Sequence, residues 1–495
     1  MNNQPIKKII IVGNGTAAWM TAAYLQRTFN RVEPNILLQV IETPATAETS
    51  DGAAQSSMPL MLGFLRYLGI NEQLFMETCL ASFKMASKLE GWKTGKVEEN
   101  YWHPLGSVGG HQGERLSLLQ HALHRHLQDQ DNEPSFVEKI HEVVAVCKAG
   151  KAPKIALSDG KRGAQSLPYS YHFHTAAFVQ LLKKYALSKG VERIEGSLQN
   201  ITLNKQGHIE AIQTKEQGTF SADLYLDCSG GEAQLIRQKL QENFESAADY
   251  LPCDSKVNAA IPYGKGNRYH QSAEGLKPYT TLTALQNGWR THIPLQTVEH
   301  FQYTYSSQFT SKEAAEMELR ASLGDKASSA QFTHFSSLPN GKRKRQWLGN
   351  CVAIGQAAGK VENIGATNLA WIQLGLRYLL YFFPNQSMAT RLQQGYNQAM
   401  DELYENIRDF EVLHYCLSER KDSDFWKSRT QESAIPESVQ EKLGQWKHLL
   451  PDGYEGKYTL FGSFDYVCVL AGMNVLPTES LPLLQYDGVV QETDA

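Results

Sequence analysis

The stretch "KKIIIVGNGTAAWMTAAYLQRTF", Lys7 to Phe29, constrains the fold more than any other part of the chain. A β-branched run of the kind buried in a parallel sheet enters a glycine turn, and an alanine-rich segment with helical periodicity leaves it. Strand, tight turn and helix in that order open a dinucleotide-binding unit. Gly13 and Gly15 take the first two places of a GxGxxG pattern. Ala18 takes the third, where only close helix-strand packing is required. The backbone at Gly15 can then approach a pyrophosphate, with the helix N-terminus directed at its charge. A second apolar run, "ILLQVIE", ends on Glu42, 24 residues beyond Ala18, where a carboxylate can accept hydrogen bonds from a ribose.

Two later stretches decide which dinucleotide is expected. "FSADLYLDCSGG" is a buried strand running into a turn at Asp227 to Gly231, and "QWLGNCVAIGQAAGKVE" is another, entering a glycine turn at Gly355. Strands that return so far along the chain look like the discontinuous sheet of FAD-dependent monooxygenases, whereas NAD dehydrogenases complete their fold contiguously. FAD is the expected cofactor. The expected fold is α/β and FAD-dependent monooxygenase-like: a Rossmann-type FAD-binding sheet plus a substrate sheet over residues 1–375, and a helical subdomain over 376–495 covering the substrate pocket.

Composition narrows the function classes. With 495 residues, 42% hydrophobic and 20% charged, the chain can bury a large core. A net charge of -4, with Lys and Arg spread along the chain, leaves no electrostatic footprint for nucleic acid. The seven cysteines are dispersed and lack CxxC spacing, so no metal site and a reducing compartment are expected. No apolar run approaches the ~20 residues that span a bilayer, and the start lacks a small-residue cleavage site. A cytoplasmic location away from membranes is the expectation.

Between the anchors, "NKQGHIEAIQTKEQGTFSADL" reads as a strand pair on a sheet edge, and "YHQSAEGLKPYTTLTALQNGWRTHIPL" as a loop ending in an aromatic strand. "GKRKRQW" reads as an exposed turn before a buried strand, and "QETDA" as a frayed tail. After about Trp371 three stretches carry 3.6-residue apolar periodicity. In "CLASFKMASKLEGW", Cys79 to Trp92, Lys84 stands between Phe83 and Met85. Taken alone, it is a lysine on a buried helix snorkelling its head to water.

Together these residues resemble the flavin-dependent tryptophan halogenase family over nearly the full length. "GNGTAAW" is similar to its GxGTAGW opening, and "CLASFKMASKLEGW" to its C-x-A-[ST]-[FY]-K-x7-W region. "YWHPLG", "YHFHTAAFVQLL", "DLYLDCSG" and "DFEVLHYCLSERKDSDFW" follow in the family's order. The resemblance implies an enzyme with two sites: reduced FAD from a separate flavin reductase, oxygen and a halide ion give hypohalous acid, which travels to an aromatic small-molecule substrate. Lys84 would meet it there, by a hydrogen bond or by being halogenated itself, and burial would lower its pKa enough for either role. Thr16, Ala17, Leu198, Gly355, Gln356 and Leu369 fall at flavin-contacting positions, and Thr367 and Asn368 at the halide pair. Trp289, Phe425 and Trp426 fall at the substrate walls, although core packing serves the last two equally well. A homodimer is the expected assembly.

The departures from the family pattern are as specific. The WxWxIP signature is "GWRTHIP", with Thr291 in place of the second tryptophan, and that tryptophan helps bar substrate from flavin. In "AGKVENIGATNLAW" Glu362 matches the first acid, but Gly365 and Ala366 stand where the family has a second glutamate and a serine. Lys421 falls where tryptophan-specific members place the acid that grips the amino group, and the early loop reads "AAQSSMP", Ala53 to Pro59. Three readings follow: a halogenase of an indole-like, phenolic or larger substrate other than free tryptophan, a flavin monooxygenase or oxidase without halide use, and a flavin-binding protein with a dead site.

Overall fold

The computed structural model describes residues 4–33, 35–44, 54–108, 117–129, 135–154, 166–263, 276–336, 339–451 and 456–486. The tail "QETDA", the first part of the 269–295 stretch and Ala53 lie outside the described residues.

The opening run forms the strand Lys8–Val12 at the heart of a six-stranded sheet. Across that sheet the strands run Trp347–Leu348, Cys351–Ala353, Leu224–Asp227, Lys8–Val12, Leu37–Glu42 and Glu192–Glu195. All pairs are parallel except the first. Ile9 to Val12 are fully buried, as expected of a parallel strand covered on both faces. The late strands therefore return to the opening unit. The helix Thr16–Phe29 starts directly from the glycine turn and packs beside the helix Thr175–Ser188.

A second sheet of seven strands holds the expected substrate side. Its order is Gln331–Ser336, Ser255–Pro262, Val298–Tyr305, Gly288–Pro294, Tyr279–Leu285, Ala86–Glu90 and Asn100–Pro104. The stretch expected to end in one aromatic strand makes two, Tyr279–Leu285 and Gly288–Pro294, turning at Gln286 and Asn287. Gly288, at φ +155°, lies so close to its neighbour that a Cβ there would meet the Thr304 carbonyl oxygen at 2.1 Å. A small sheet joins the two large ones: Ser170–His174 pairs antiparallel with Ala54–Ser56 on one side and Ser82–Lys84 on the other.

Lys84 thus lies on a strand and not on the expected buried helix. The preceding helix ends at Thr78, Leu80 adopts φ +52°, and the chain then pairs with Ser170–His174. At Met85 the N–H donates to the Pro278 carbonyl at 2.7 Å and hands the chain to the strand Ala86–Glu90. Tertiary pairing overrides the local pattern here.

Two other expectations are corrected. The "strand pair" is a three-stranded sheet of Leu198–Leu203, Ile209–Thr214 and Gly218–Phe220. The basic run is not an exposed turn: Gly341–Arg343 is a strand, Arg343 and Gln346 are buried, and Lys342 is ion-paired to Glu245 and Asp401. The C-terminal region is helical, with Asn368–Tyr381, Thr390–Cys416, Glu437–Trp446 and Ser463–Gly472. The expected division at 375/376 falls inside the first of these helices.

Candidate active site

The glycine turn opens onto a groove. Gly15, Thr16, Ala17, Gly355, Gln356 and Asn368 line it, with Gly355 packed directly on Ala17. The two turn glycines act differently. A Cβ on Gly13, at φ +142°, would meet the Cys228 carbonyl oxygen at 2.2 Å, whereas a Cβ on Gly15 would meet nothing within 4 Å. Gly13 therefore serves strand-to-strand approach, and Gly15 keeps backbone open to a ligand. Asp227 organises the adjoining turn, accepting hydrogen bonds from the N–H groups of Ser229, Leu235 and Ile236 at 3.1, 2.8 and 2.8 Å.

Glu42 stands at the mouth of a neighbouring groove with Arg193, Gly196 and Ser197. It pairs with Lys183 at 2.7 Å and with Arg193, and these cations hold its carboxyl below the usual range even though burial opposes them. Leu198 begins the strand after Ser197 but does not line that groove, and Ala18 and Leu369 are buried in their helices. Neither pattern nor spacing singled out Asn14, Thr43 or Trp371, which also line the main groove.

A second cavity, of about 480 Å³, contains Lys84. Lys84 is 1% exposed, and no hydrogen-bond or ion-pair partner lies at its Nζ among the described residues. Burial alone brings its pKa down to about 7. Behind it runs a buried chain of hydrogen bonds: Ser82 Oγ to His172 Nδ1 at 3.3 Å, His172 Nε2 to Thr280 Oγ1 at 2.8 Å, and Thr280 Oγ1 to Ser56 Oγ at 2.9 Å. Ser82 also donates to the Pro294 carbonyl at 2.5 Å. Among the described residues the cavity lining includes Lys84, Lys256 and His300 and no carboxylate.

The chain from Gly359 to Asn368 forms the wall between the two spaces, and Asn368 lines both. Two buried carboxylates hold this wall from behind. Glu411 accepts the N–H groups of Glu362 and Asn363, each at 2.9 Å. Glu362 accepts from the Cys253 N–H at 2.8 Å, from Trp289 Nε1 at 3.2 Å and from the Tyr415 hydroxyl. Burial, with Glu362 nearby, pushes Glu411 up to about 8, and burial also raises Glu362.

Residues 8–488 match the tryptophan halogenase family model. The chain belongs to the tryptophan halogenase family. It is 28% identical to the tryptophan 6-halogenase SttH of Streptomyces toxytricini, across 98% of this chain and 92% of that protein. It is 30% identical to the tryptophan 7-halogenase KtzQ of Kutzneria sp. (strain 744), over 98% and 92% of the two chains. The crystal structure of a tryptophan halogenase from Shewanella frigidimarina NCIMB 400 superposes with a TM-score of 0.88 at 31% identity, covering 99% of this chain and 93% of that one.

Within this halogenase scaffold the departures acquire a physical form. A Cβ on Gly365 would lie 2.5 Å from Phe461 Cζ, so the volume in which a glutamate would begin is filled by a ring stacked 3.7 Å from that of Phe410. Thr291 lines the Lys84 cavity, whereas Trp289 does not and is tied to Glu362. Phe425 and Trp426 are fully buried against Tyr415 and are not among the residues lining the Lys84 cavity. Lys421 is exposed and donates to Thr430 Oγ1 at 2.7 Å, away from the cavity, so it carries no argument about substrate.

The halide pair is divided. Thr367 is fully buried and its Oγ1 has no hydrogen-bond partner among the described residues. The Asn368 N–H is taken by Asn363 Oδ1 at 3.0 Å.

Proposed function

We propose that the protein is a flavin-dependent halogenase acting on an indole-like or phenolic ring, and not on free tryptophan. The observation that carries this reading is the position of Asn368 in the wall shared by the glycine-turn groove and the cavity of Lys84. An oxidant made in one space and used in the other requires such a shared wall.

The first groove fits FAD. Gly15 leaves its backbone open, the 14-residue helix begun by Thr16 and Ala17 would direct its N-terminus at a pyrophosphate, and Gly355 and Gln356 also line the groove. Glu42, already held ionised by Lys183 and Arg193, suits the ribose end. Reduced FAD, supplied by a separate flavin reductase, provides the electrons with which oxygen and halide become hypohalous acid. The unpartnered Thr367 hydroxyl is the donor we assign to halide.

Lys84 receives the oxidised halogen. Its pKa near 7 keeps both protonation states accessible at neutral pH, so it can donate a proton to departing oxygen or accept the halogen on a free amine. The ammonium group of free tryptophan would meet Lys84 and Lys256 with no carboxylate among the described lining residues, which opposes binding. A monooxygenase on the same scaffold is favoured by one observation, the small Thr291 on the cavity lining.

No helix among the described residues is long and apolar enough to cross a membrane, and no disulfide joins the seven cysteines. The homodimer expected from the sequence is tested by the mass in solution.

The deciding experiment supplies reduced FAD from a reductase, with chloride or bromide, to indole, phenol and tryptophan. Halide-dependent mass shifts on indole or phenol support the proposal. Added oxygen without halogen would replace it by the monooxygenase.

A further inference from the structure

Replacing a ring hydrogen by halogen releases a proton, and the lining of the Lys84 cavity contains no carboxylate among the described residues to receive it. Two buried histidines flank Lys84 and its cavity, and their hydrogen bonds distinguish them. His172 has both ring nitrogens engaged, by Ser82 and by Thr280. His300 lines the cavity, is 2% exposed, and has no hydrogen-bond partner at Nδ1. It stands on the strand Val298–Tyr305, opposite Ile293 on one side and Ala260 on the other, so the centre of the seven-stranded sheet fixes its backbone.

We propose that His300 is the base that takes the ring proton in this protein. The inference rests on the halogenase reading above.

In the reaction an electron pair of the ring forms the carbon–halogen bond while the halogen–oxygen bond of hypohalous acid breaks. The oxygen keeps that pair and leaves as water with a proton from the Lys84 ammonium. The carbon–hydrogen pair then returns to the ring as its proton moves to His300. Transfer of the proton from His300 back to Lys84 through solvent closes the cycle, and the net change is ring C–H plus hypohalous acid to ring C–halogen plus water. Burial, with His174 and His292 nearby, holds His300 down at about 4, so its imidazole is neutral and able to accept at working pH. The phenyl ring of Phe461 over Gly365 excludes a carboxylate from the other side of the cavity wall, which makes the assignment to a histidine specific to this chain.

The test uses full-length His300→Gln and His300→Asn, with reduced FAD from a reductase, bromide, and indole or phenol as probes, each also ring-deuterated. One vessel contains an external trap for hypohalous acid. General-base loss reduces rate by ~100-fold or more. We expect brominated ring to fall by about that factor while trapped oxidised bromide is retained. Deuterated probe should react about as fast as ordinary probe with the native protein, and about 2-fold or more slower with the variants, because proton removal has become limiting. Retained product overturns the role, and so does loss of product without an isotope effect, since displaced packing would give that result. Absence of trapped oxidised bromide from the native protein would overturn the halogenase reading itself, a different outcome from failure of His300.

Discussion

The side-chain oxygen of Asn363 accepts the backbone N–H of Asn368 at 3.0 Å. Asn363 has φ +80°, a conformation glycine adopts without strain, and its own N–H is anchored by Glu411 at 2.9 Å. The backbone N–H of Asn368, one of the two residues that the resemblance places at halide, is therefore capped by the chain itself. Asn363→Gly should leave the turn in place and release that amide, lowering the halide concentration at half-maximal rate several-fold. Steady-state rates against bromide concentration check it, and an unchanged or raised value contradicts it.

The two turn glycines should respond oppositely to substitution. Gly13→Ala places a methyl group 2.2 Å from the Cys228 carbonyl oxygen at a positive φ, so the fold should lose ~3 kcal/mol or more. Gly15→Ala adds a Cβ that meets no protein atom within 4 Å, so thermal unfolding without ligand should move little, while FAD affinity falls at least ~10-fold because the open backbone is covered. Calorimetric unfolding and FAD titration separate the two effects. Equal loss of stability in both variants would show that Gly15 also serves packing.

Restoring the family's glutamate should fail. Gly365→Glu drives its Cβ against Phe461, and the ring cannot retreat because Phe410 stacks behind it, so destabilisation of ~1–3 kcal/mol is expected without recovered proton transfer. Phe461→Ala alone should cost ~3–5 kcal/mol, and the double variant less than the sum, because the cavity made by one accepts the side chain of the other. Denaturant unfolding of the four proteins measures the coupling.

Lys84 carries a stability cost with a defined pH window. Its folded pKa of about 7 lies below the unfolded value of 10.5, so the unfolded chain holds the extra proton between these values and stability rises with pH across them. Lys84→Met removes the cost. The variant should exceed the native protein by ~3–6 kcal/mol at and below pH 7, with the advantage shrinking as pH approaches 10.5. Thermal unfolding from pH 6 to 10 follows the difference. A gap that widens with pH would contradict buried, desolvated Lys84.

The opening unit was legible because its signals are local. Glycine spacing, a β-branched strand and an acid-terminated second strand depend on neighbours in sequence, and Gly15, Thr16 and Ala17 do line the groove. Lys84 was recognised by its motif, but its backbone was misread, since strand pairing with Ser170–His174 is set by a segment nearly ninety residues away. Phe425, Trp426 and Lys421 show what the resemblance alone leaves open: Phe425 and Trp426 are buried against Tyr415, Lys421 is exposed beside Thr430, and none of the three lines the Lys84 cavity. His300 gave no signal at all. One histidine in an alternating strand looks like packing, and only its place on the lining of the Lys84 cavity, together with an Nδ1 that has no hydrogen-bond partner, distinguishes it.

The central claim is that Lys84 activates the oxidised halogen for attack by the ring, and the partition of halogen in Lys84→Met tests it most directly. Methionine keeps the length and apolar stem while removing the amine. With reduced FAD, oxygen, bromide, indole and an external trap for hypohalous acid in one vessel, brominated indole and trapped bromine are quantified together. The account predicts that brominated indole is lost while trapped bromine and FAD binding persist, because the flavin groove is built from Gly15, Thr16, Ala17, Gly355 and Gln356 and not from Lys84. Most of the native yield of brominated indole from Lys84→Met would contradict it, and Lys84 would then be a buried lysine without chemistry.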